Sequence, residues 1–293
     1  MPGMSQGLDL SKIDEITPEE IDAHLTTRWK GRGPLYDMYA SSLMLDYAPD
    51  FAKLHWWAAD IFRLPTSGEG EADPRITVPN SLQQLHSYMV YGWETGIRNQ
   101  FRVLRRWGMT RSQIMEVVMF GRLTAGMRGL GHVYHAVGDM LPDYQDGTGD
   151  VPFPEGWAAD PDGIKAGLDL STHKLTEQDR KNLTEWYERN IGYLPRSISF
   201  GMDHDPSVLK VHRAMWEVAI KTLPKQVIPY LMLRDSTLAG DRDAIREAAL
   251  LGKSWGFTQD WIVRGITQTV HYFTGLRGLY AAHDAVEDIL KDW

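Results

Sequence analysis

A fourteen-residue stretch that occurs twice limits what this chain can fold into more than any other feature. Residues 128–141 read RGLGHVYHAVGDML and residues 277–290 read RGLYAAHDAVEDIL. Arg128, Gly129, Leu130, Ala136, Val137, Asp139 and Leu141 therefore reappear 149 positions later as Arg277, Gly278, Leu279, Ala285, Val286, Asp288 and Leu290. Upstream, WGMTRSQI at 107–114 falls on WGFTQDWI at 255–262, and Asp46, Pro49, Lys53 and His55 fall on Asp203, Pro206, Lys210 and His212. A register kept over such distances marks a repeated supersecondary unit. The sequence predicts an all-α fold, a tandem duplication of one helical unit packed as one body, since no stretch alternates as a strand would.

The order of the chain follows from capping and breaking signals. Residues 1–35 are expected to be an arm, loose to about residue 16, and a helix that Thr17 and Glu20 open with a capping box. The first repeat, 36–141, starts with two helices meeting at Pro49. Three prolines and two glycines make 64–80 a loop. A helix from Ser81 to about Trp107, interruptible at Gly92, stops at Gly108. The next, capped by Thr110 with Gln113, runs to about Met140. Its five glycines (121, 126, 129, 131 and 138) each cost roughly 1 kcal/mol relative to alanine, which predicts close backbone packing. A Pro-, Gly- and Asp-rich linker, 142–175, is expected to lie across the surface or wrap a neighbouring subunit. The second repeat, 176–293, opens on a Thr176/Asp179 capping box.

Composition excludes several function classes. A net charge of −8 argues against nucleic acid, whose phosphates need a basic surface. The absence of cysteine removes disulfides, thiolate metal sites and thiol catalysis. No basic-then-apolar leader and no apolar run near 18 residues occurs, so neither a secretory signal nor a membrane span is expected, and the cytoplasm is the expected compartment.

Each half thus has a proline-started helix, a helix ending before a Gly-x-Thr turn (Gly108 and Thr110; Gly256 and Thr258) and a glycine-containing closing helix. This arrangement resembles the carboxymuconolactone decarboxylase and alkylhydroperoxidase-D-like superfamily, here duplicated in one chain, over roughly 36–141 and 197–290. Peroxidase members carry Cys-x-x-Cys and then His. Those positions are Trp93, Gly96 and Gln100 here, and Asp241, Ala244 and Ala248 in the second half, so the resemblance implies no peroxidase chemistry. Non-redox members carry Cys-Glu-Tyr-Glu-Trp-Ala-His-His. On that pattern Glu94 matches the first Glu, and Asn99 and Gln100 replace the two histidines. The resemblance implies a cofactor-free lyase, decarboxylase or isomerase for a lactone, an enol or an aromatic catabolite. It also implies a homo-oligomer, a dimer or trimer of two-repeat chains.

The candidate chemistry lies where the halves differ. His132 and His135 share a helix face with Arg128 and Asp139, and their counterparts are Ala281 and Asp284. A scaffold needs matching packing in both halves, whereas a site needs its polar groups in one. Upstream, Glu94 and His86 are replaced by Arg242 and Arg234, which suggests an acid/base pair facing an anion clamp, or two solvated faces. His132, His135, Glu94 and His86 are the expected proton-transfer groups. Arg98, Asn99, Tyr91, Trp93 and Tyr134 are the expected substrate contacts, although aromatic residues at helical spacing are more often core. No cofactor is expected. A metal-dependent hydrolase or lyase, its divalent ion held by His132 and His135 with Glu94 or Asp139, is the alternative, although metal-binding helix pairs favour a spacing of four. A non-catalytic binding protein on the same fold is the other.

Overall fold

The computed structural model describes residues 4–5, 8–13, 15–20, 41–62 and 73–293. The rest of the expected first helix and most of the expected Pro/Gly loop, 21–40 and 63–72, lie outside the described residues. The fold is all-α. The extended pairing among the described residues joins β1 (Met4–Ser5) to β2 (Leu8–Asp9), two residues each. The chain divides into two compact units, Met1–Thr77 and Val78–Trp293.

In the first unit, α1 (Ser41–Tyr47) and α2 (Pro49–Ile61) meet at Pro49, which starts α2 because a helix's first turn needs no N–H from it. Among the described residues of the stretch expected to be loose, several are tied down. Leu8 is buried, and Glu20 accepts the Asp9 amide at 2.7 Å while sharing a capping box with Thr17. Lys53, buried on α2, donates to the Lys12 and Glu15 carbonyls at 2.7 Å and pairs with Glu20 at 2.9 Å. An unpaired ammonium in that position would be prohibitive, so the arm is held by the charge it satisfies.

The helix after the expected loop, α3 (Pro74–Tyr91), begins seven residues earlier than the sequence suggested. Pro74 occupies its first turn, and Asp73 accepts the Arg75 amide at 2.8 Å. Pro79 sits inside the helix and removes one donor. The second unit continues with α4 (Glu94–Arg106), α5 (Arg111–Val137), the short α6 (Pro161–Ile164), α7 (Glu177–Ile191), α8 (Arg196–His204), α9 (Pro206–Ala219), α10 (Val227–Ala239), α11 (Arg242–Ser254) and α12 (Gln259–Thr269). A π-helical turn (Val270–Thr274) then leads into α13 (Leu276–Lys291). Both expected capping boxes, Thr110/Gln113 and Thr176/Asp179, are formed.

One apolar core runs from Leu82, Leu85 and Ile97 through Val117 and Phe120 to Leu231, Ile245 and Val286. The linker packs on its own chain. Gly149 donates to the Gly108 carbonyl at 2.8 Å, Lys225 to that of Ala158 at 3.0 Å, and Trp157 stacks on Phe257 at 5.2 Å.

Several backbone devices recur at the spacing the sequence alignment sets. Gly92 and Gly240 end α3 and α10 at φ +72° and +69°, each in a Schellman turn whose next amide reaches back to Tyr88 or Ser236. Gly108 and Gly256 end α4 and α11 in the same way, at +94° and +89°. Gly126 inside α5 (φ +65°, ψ −164°) and Gly275 before α13 (φ +57°, ψ −160°) break the helix in a region of backbone space that only glycine occupies freely. The glycines of α5 thus divide in function. Gly129 does pack closely, 3.3 Å from the Met89 carbonyl for an added Cβ, whereas such a Cβ at Gly126 or Gly131 meets nothing within 4 Å.

Candidate active site

The turn at Gly92 places Glu94 in the first turn of α4, where a helix N-terminus favours a carboxylate. Across from it on α5, Nδ1 of His132 lies 3.0 Å from Glu94 Oε1. The other side of the imidazole rests on the turn itself. A Cβ added to Gly92 would fall 2.5 Å from His132 Nε2, so glycine is required there both by φ and by the ring. This His–carboxylate pair is partly exposed, with side chains 26% and 46% accessible. A carboxylate on one ring nitrogen fixes the ring and leaves the other for proton transfer.

Beside the turn stands an aromatic wall. Tyr88 and Trp93 meet edge to face at 4.7 Å, and Tyr91, half exposed, stacks on Phe273 of the π-helical turn at 5.4 Å. Phe273 in turn covers the guanidinium of Arg234 on α10 at 4.5 Å. Arg234 is fully buried. Its Nε donates to Ser87 Oγ and its Nη1 to Gln83 Oε1 at 2.8 Å, both on α3. Its Nη2 has no hydrogen-bond partner among the described residues, and no ion pair reaches it there. Desolvating such a charge costs several kcal/mol even after relaxation, and one cation–π contact offsets only about 0.5–2 kcal/mol of that. Burial pulls the guanidinium down to about 10, with the phenols of Tyr88, Tyr230, Tyr272 and Tyr91 opposing, so it is a cation at neutral pH.

His86 belongs to the same buried polar layer. Its Nε2 lies 2.7 Å from Thr124 Oγ1, whose hydroxyl donates to the Gly121 carbonyl at 3.2 Å. The threonine proton being used, Nε2–H donates and Nδ1 is left as an unprotonated acceptor with no partner among the described residues. Burial first, and then the Arg234 charge, push this histidine down to about 3. It is neutral at any ordinary pH. The floor of the layer is closed by Tyr230, which donates to Asn80 Oδ1 at 2.6 Å and accepts from Gln83 Nε2 at its carbonyl.

Of the residues singled out in the sequence, the structure brings Glu94 and His132 together, sets Tyr91 and Trp93 in the adjoining wall, and buries His86 behind it. His135 and Tyr134 are exposed, in edge-to-face contact with each other at 6.2 Å. Arg98 is engaged by Asp139 at 3.5 Å, as Arg246 is by Asp288 at 2.7 Å. Asn99 is buried on α4 with its Nδ2 unpartnered among the described residues. Among those residues no three His, Asp or Glu side chains gather as they would around a metal ion. The residues missed were Arg234 as a site group, together with Gln83, Ser87, Thr124 and Phe273. Arg234 had been visible only as the residue standing where His86 does. No family model, curated protein or solved structure matches this chain.

Proposed function

We propose that the chain is a duplicated, cofactor-free acid/base enzyme of the carboxymuconolactone decarboxylase-like kind, a lyase, decarboxylase or isomerase acting on a cyclic, lactone or aromatic small molecule. The observation that carries this reading is the 3.0 Å pair between His132 and Glu94, seated on Gly92 at the edge of an aromatic wall. His132 Nε2 takes a proton from carbon next to a carbonyl and returns it elsewhere on the substrate, and Glu94 stabilises the imidazolium formed between the two events. Tyr88, Tyr91 and Trp93 offer the flat apolar surface that a ring or conjugated acid needs. His135 and Tyr134, exposed on the far turn of α5, have no part in this assignment. The recurrence of three glycine turns at matched positions supports the duplication, and the assembly of such chains into a dimer or trimer is part of the same reading.

The test is deuterium incorporation from D2O, followed by NMR, across a panel of enol-lactones and aromatic and unsaturated acids. At least one compound should exchange a carbon-bound proton in the presence of the wild-type protein and do so about 100-fold more slowly with His132→Gln. Exchange undiminished in His132→Gln would remove the dyad from the chemistry.

A further inference from the structure

A buried cation with an unspent donor asks for an anion, and Arg234 stands beside the proposed reaction centre. We infer that Arg234, under Phe273 and between α3 and α10, is a binding seat for the carboxylate of a planar unsaturated acid. This assignment rests on the acid/base function proposed above and adds to it the class of substrate.

Four observations carry it. The guanidinium is fully buried and forms no ion pair among the described residues, so none of their carboxylates matches its charge. Its two occupied edges are held by neutral groups, Ser87 and Gln83, and Gln83 is itself fixed by the Tyr230 carbonyl at 3.0 Å. The fork is thus held in one orientation with Nη2 unspent, the arrangement that planar carboxylates engage. Its cover is a flat ring. Phe273 lies 4.5 Å over the guanidinium and continues outward through Tyr91, half exposed, so a ring replacing Phe273 would meet the same cation and the same aromatic partner. Finally, Phe273 belongs to a π-helical turn that ends at Gly275, a local irregularity of the kind that gathers at functional sites. The counterpart position in α5 carries Thr124, spent on His86, and offers no such cover.

Benzoate and benzamide, which share a ring and differ in charge, are the probes. In calorimetry with the full chain benzoate should bind saturably and benzamide not at all, and Arg234→Met should weaken benzoate at least tenfold. Hydrogen exchange of the wild-type protein should show benzoate protecting peptides from 80–91, 228–240 and 268–278, which decides the matter even where Arg234→Met fails to fold. Equal binding of both probes, binding of neither, unchanged affinity in Arg234→Met, or protection confined elsewhere would each overturn the seat. Glu94→Gln separates this inference from the function it builds on. Benzoate binding with full exchange activity in Glu94→Gln sinks the acid/base reading alone. Exchange lost in Glu94→Gln, with no benzoate binding to the wild type, sinks the seat alone.

Discussion

At residue 86 an imidazole on α3 meets Thr124, and 148 positions on, at residue 234, a guanidinium on α10 lies under Phe273. The turns that follow are alike, Gly92 and Gly240 closing their helices with the same left-handed backbone. What stands past those turns is again different. Glu94 faces His132 in one region, whereas in the other Arg242 faces Asp284 at 2.8 Å. Backbone devices recur between the two regions while the side chains they present reverse in charge or change in kind. Geometry of that sort is fixed by glycines at positive φ, where any side chain is strained, and leaves the intervening polar positions free to acquire chemistry.

The buried lysines are the strongest way to break this comparison, because there the side chains recur as well. Lys210 donates to Asp179 and the Lys174 carbonyl, and Asp179 accepts the Asp169 amide. Lys53, Glu20 and Asp9 repeat that circuit in the first unit. Lys210→Met should destabilise by about 3–5 kcal/mol, since it strands a buried carboxylate, and Lys53→Met should cost a similar amount in urea unfolding. A difference above about 2 kcal/mol between the two variants would show that the circuits are not equivalent. Burial raises Asp179, but Lys210 and the Asp169 and Thr176 amides outweigh it and hold the acid at about 2. Its folded value being depressed, its stabilisation is full above pH 4 and is lost as pH falls toward 2.

The next effect sets His86 against Arg234. His86 titrates near 3 when folded and near 6.5 when unfolded, so between those values the unfolded chain holds the extra proton. Stability should therefore fall as pH drops below 6.5, by about 2 kcal/mol on reaching pH 5. His86→Gln should flatten that slope, whereas Arg234→Met should leave it largely in place. An unchanged slope in His86→Gln would contradict the burial of a neutral imidazole.

The helix breaks sharpen the comparison further. Gly126→Ala and Gly275→Ala meet no atoms within 4 Å, so each should cost about 1–3 kcal/mol through backbone strain alone, and the two should agree in thermal melts. The smallest effect belongs to the surface pairs. Asp288→Asn keeps one acceptor but loses the carboxylate charge and one of the two 2.7 Å hydrogen bonds from Arg246, and should lower the melting temperature slightly at low salt. Asp139→Asn, whose contact with Arg98 is 3.5 Å, should leave it unchanged.

Much of this was legible in the sequence for a physical reason. Caps, proline starts and left-handed glycines act over three or four residues, and Thr110/Gln113, Thr176/Asp179, Pro49 and Gly92 all lie where that local chemistry places them. The start of α3 was hidden because proline reads as a breaker, although one in the first turn does no harm. The hydrogen bonding of residues 8–11 has a signal in the sequence. Leu8-Asp9-Leu10-Ser11 recurs as Leu168-Asp169-Leu170-Ser171, and in both copies the Ser amide and hydroxyl return to the Asp carboxylate. His135 drew attention because its counterpart differs, yet divergence is also what a solvent-facing turn permits, and the neighbouring aromatic Tyr134 faces solvent too. The burial of Arg234 could not be read at all, since it depends on which helices cross above residues 83 and 87.

The central claim is that proton transfer belongs to the turn at Gly92 and not to its counterpart at Gly240. Solvent-deuterium exchange of a responsive lactone or unsaturated acid, measured side by side for Glu94→Gln and Arg242→Gln, tests it most directly. The account predicts a loss of about 100-fold in Glu94→Gln and wild-type exchange in Arg242→Gln. Equal losses in the two variants, or wild-type exchange in Glu94→Gln, would contradict it.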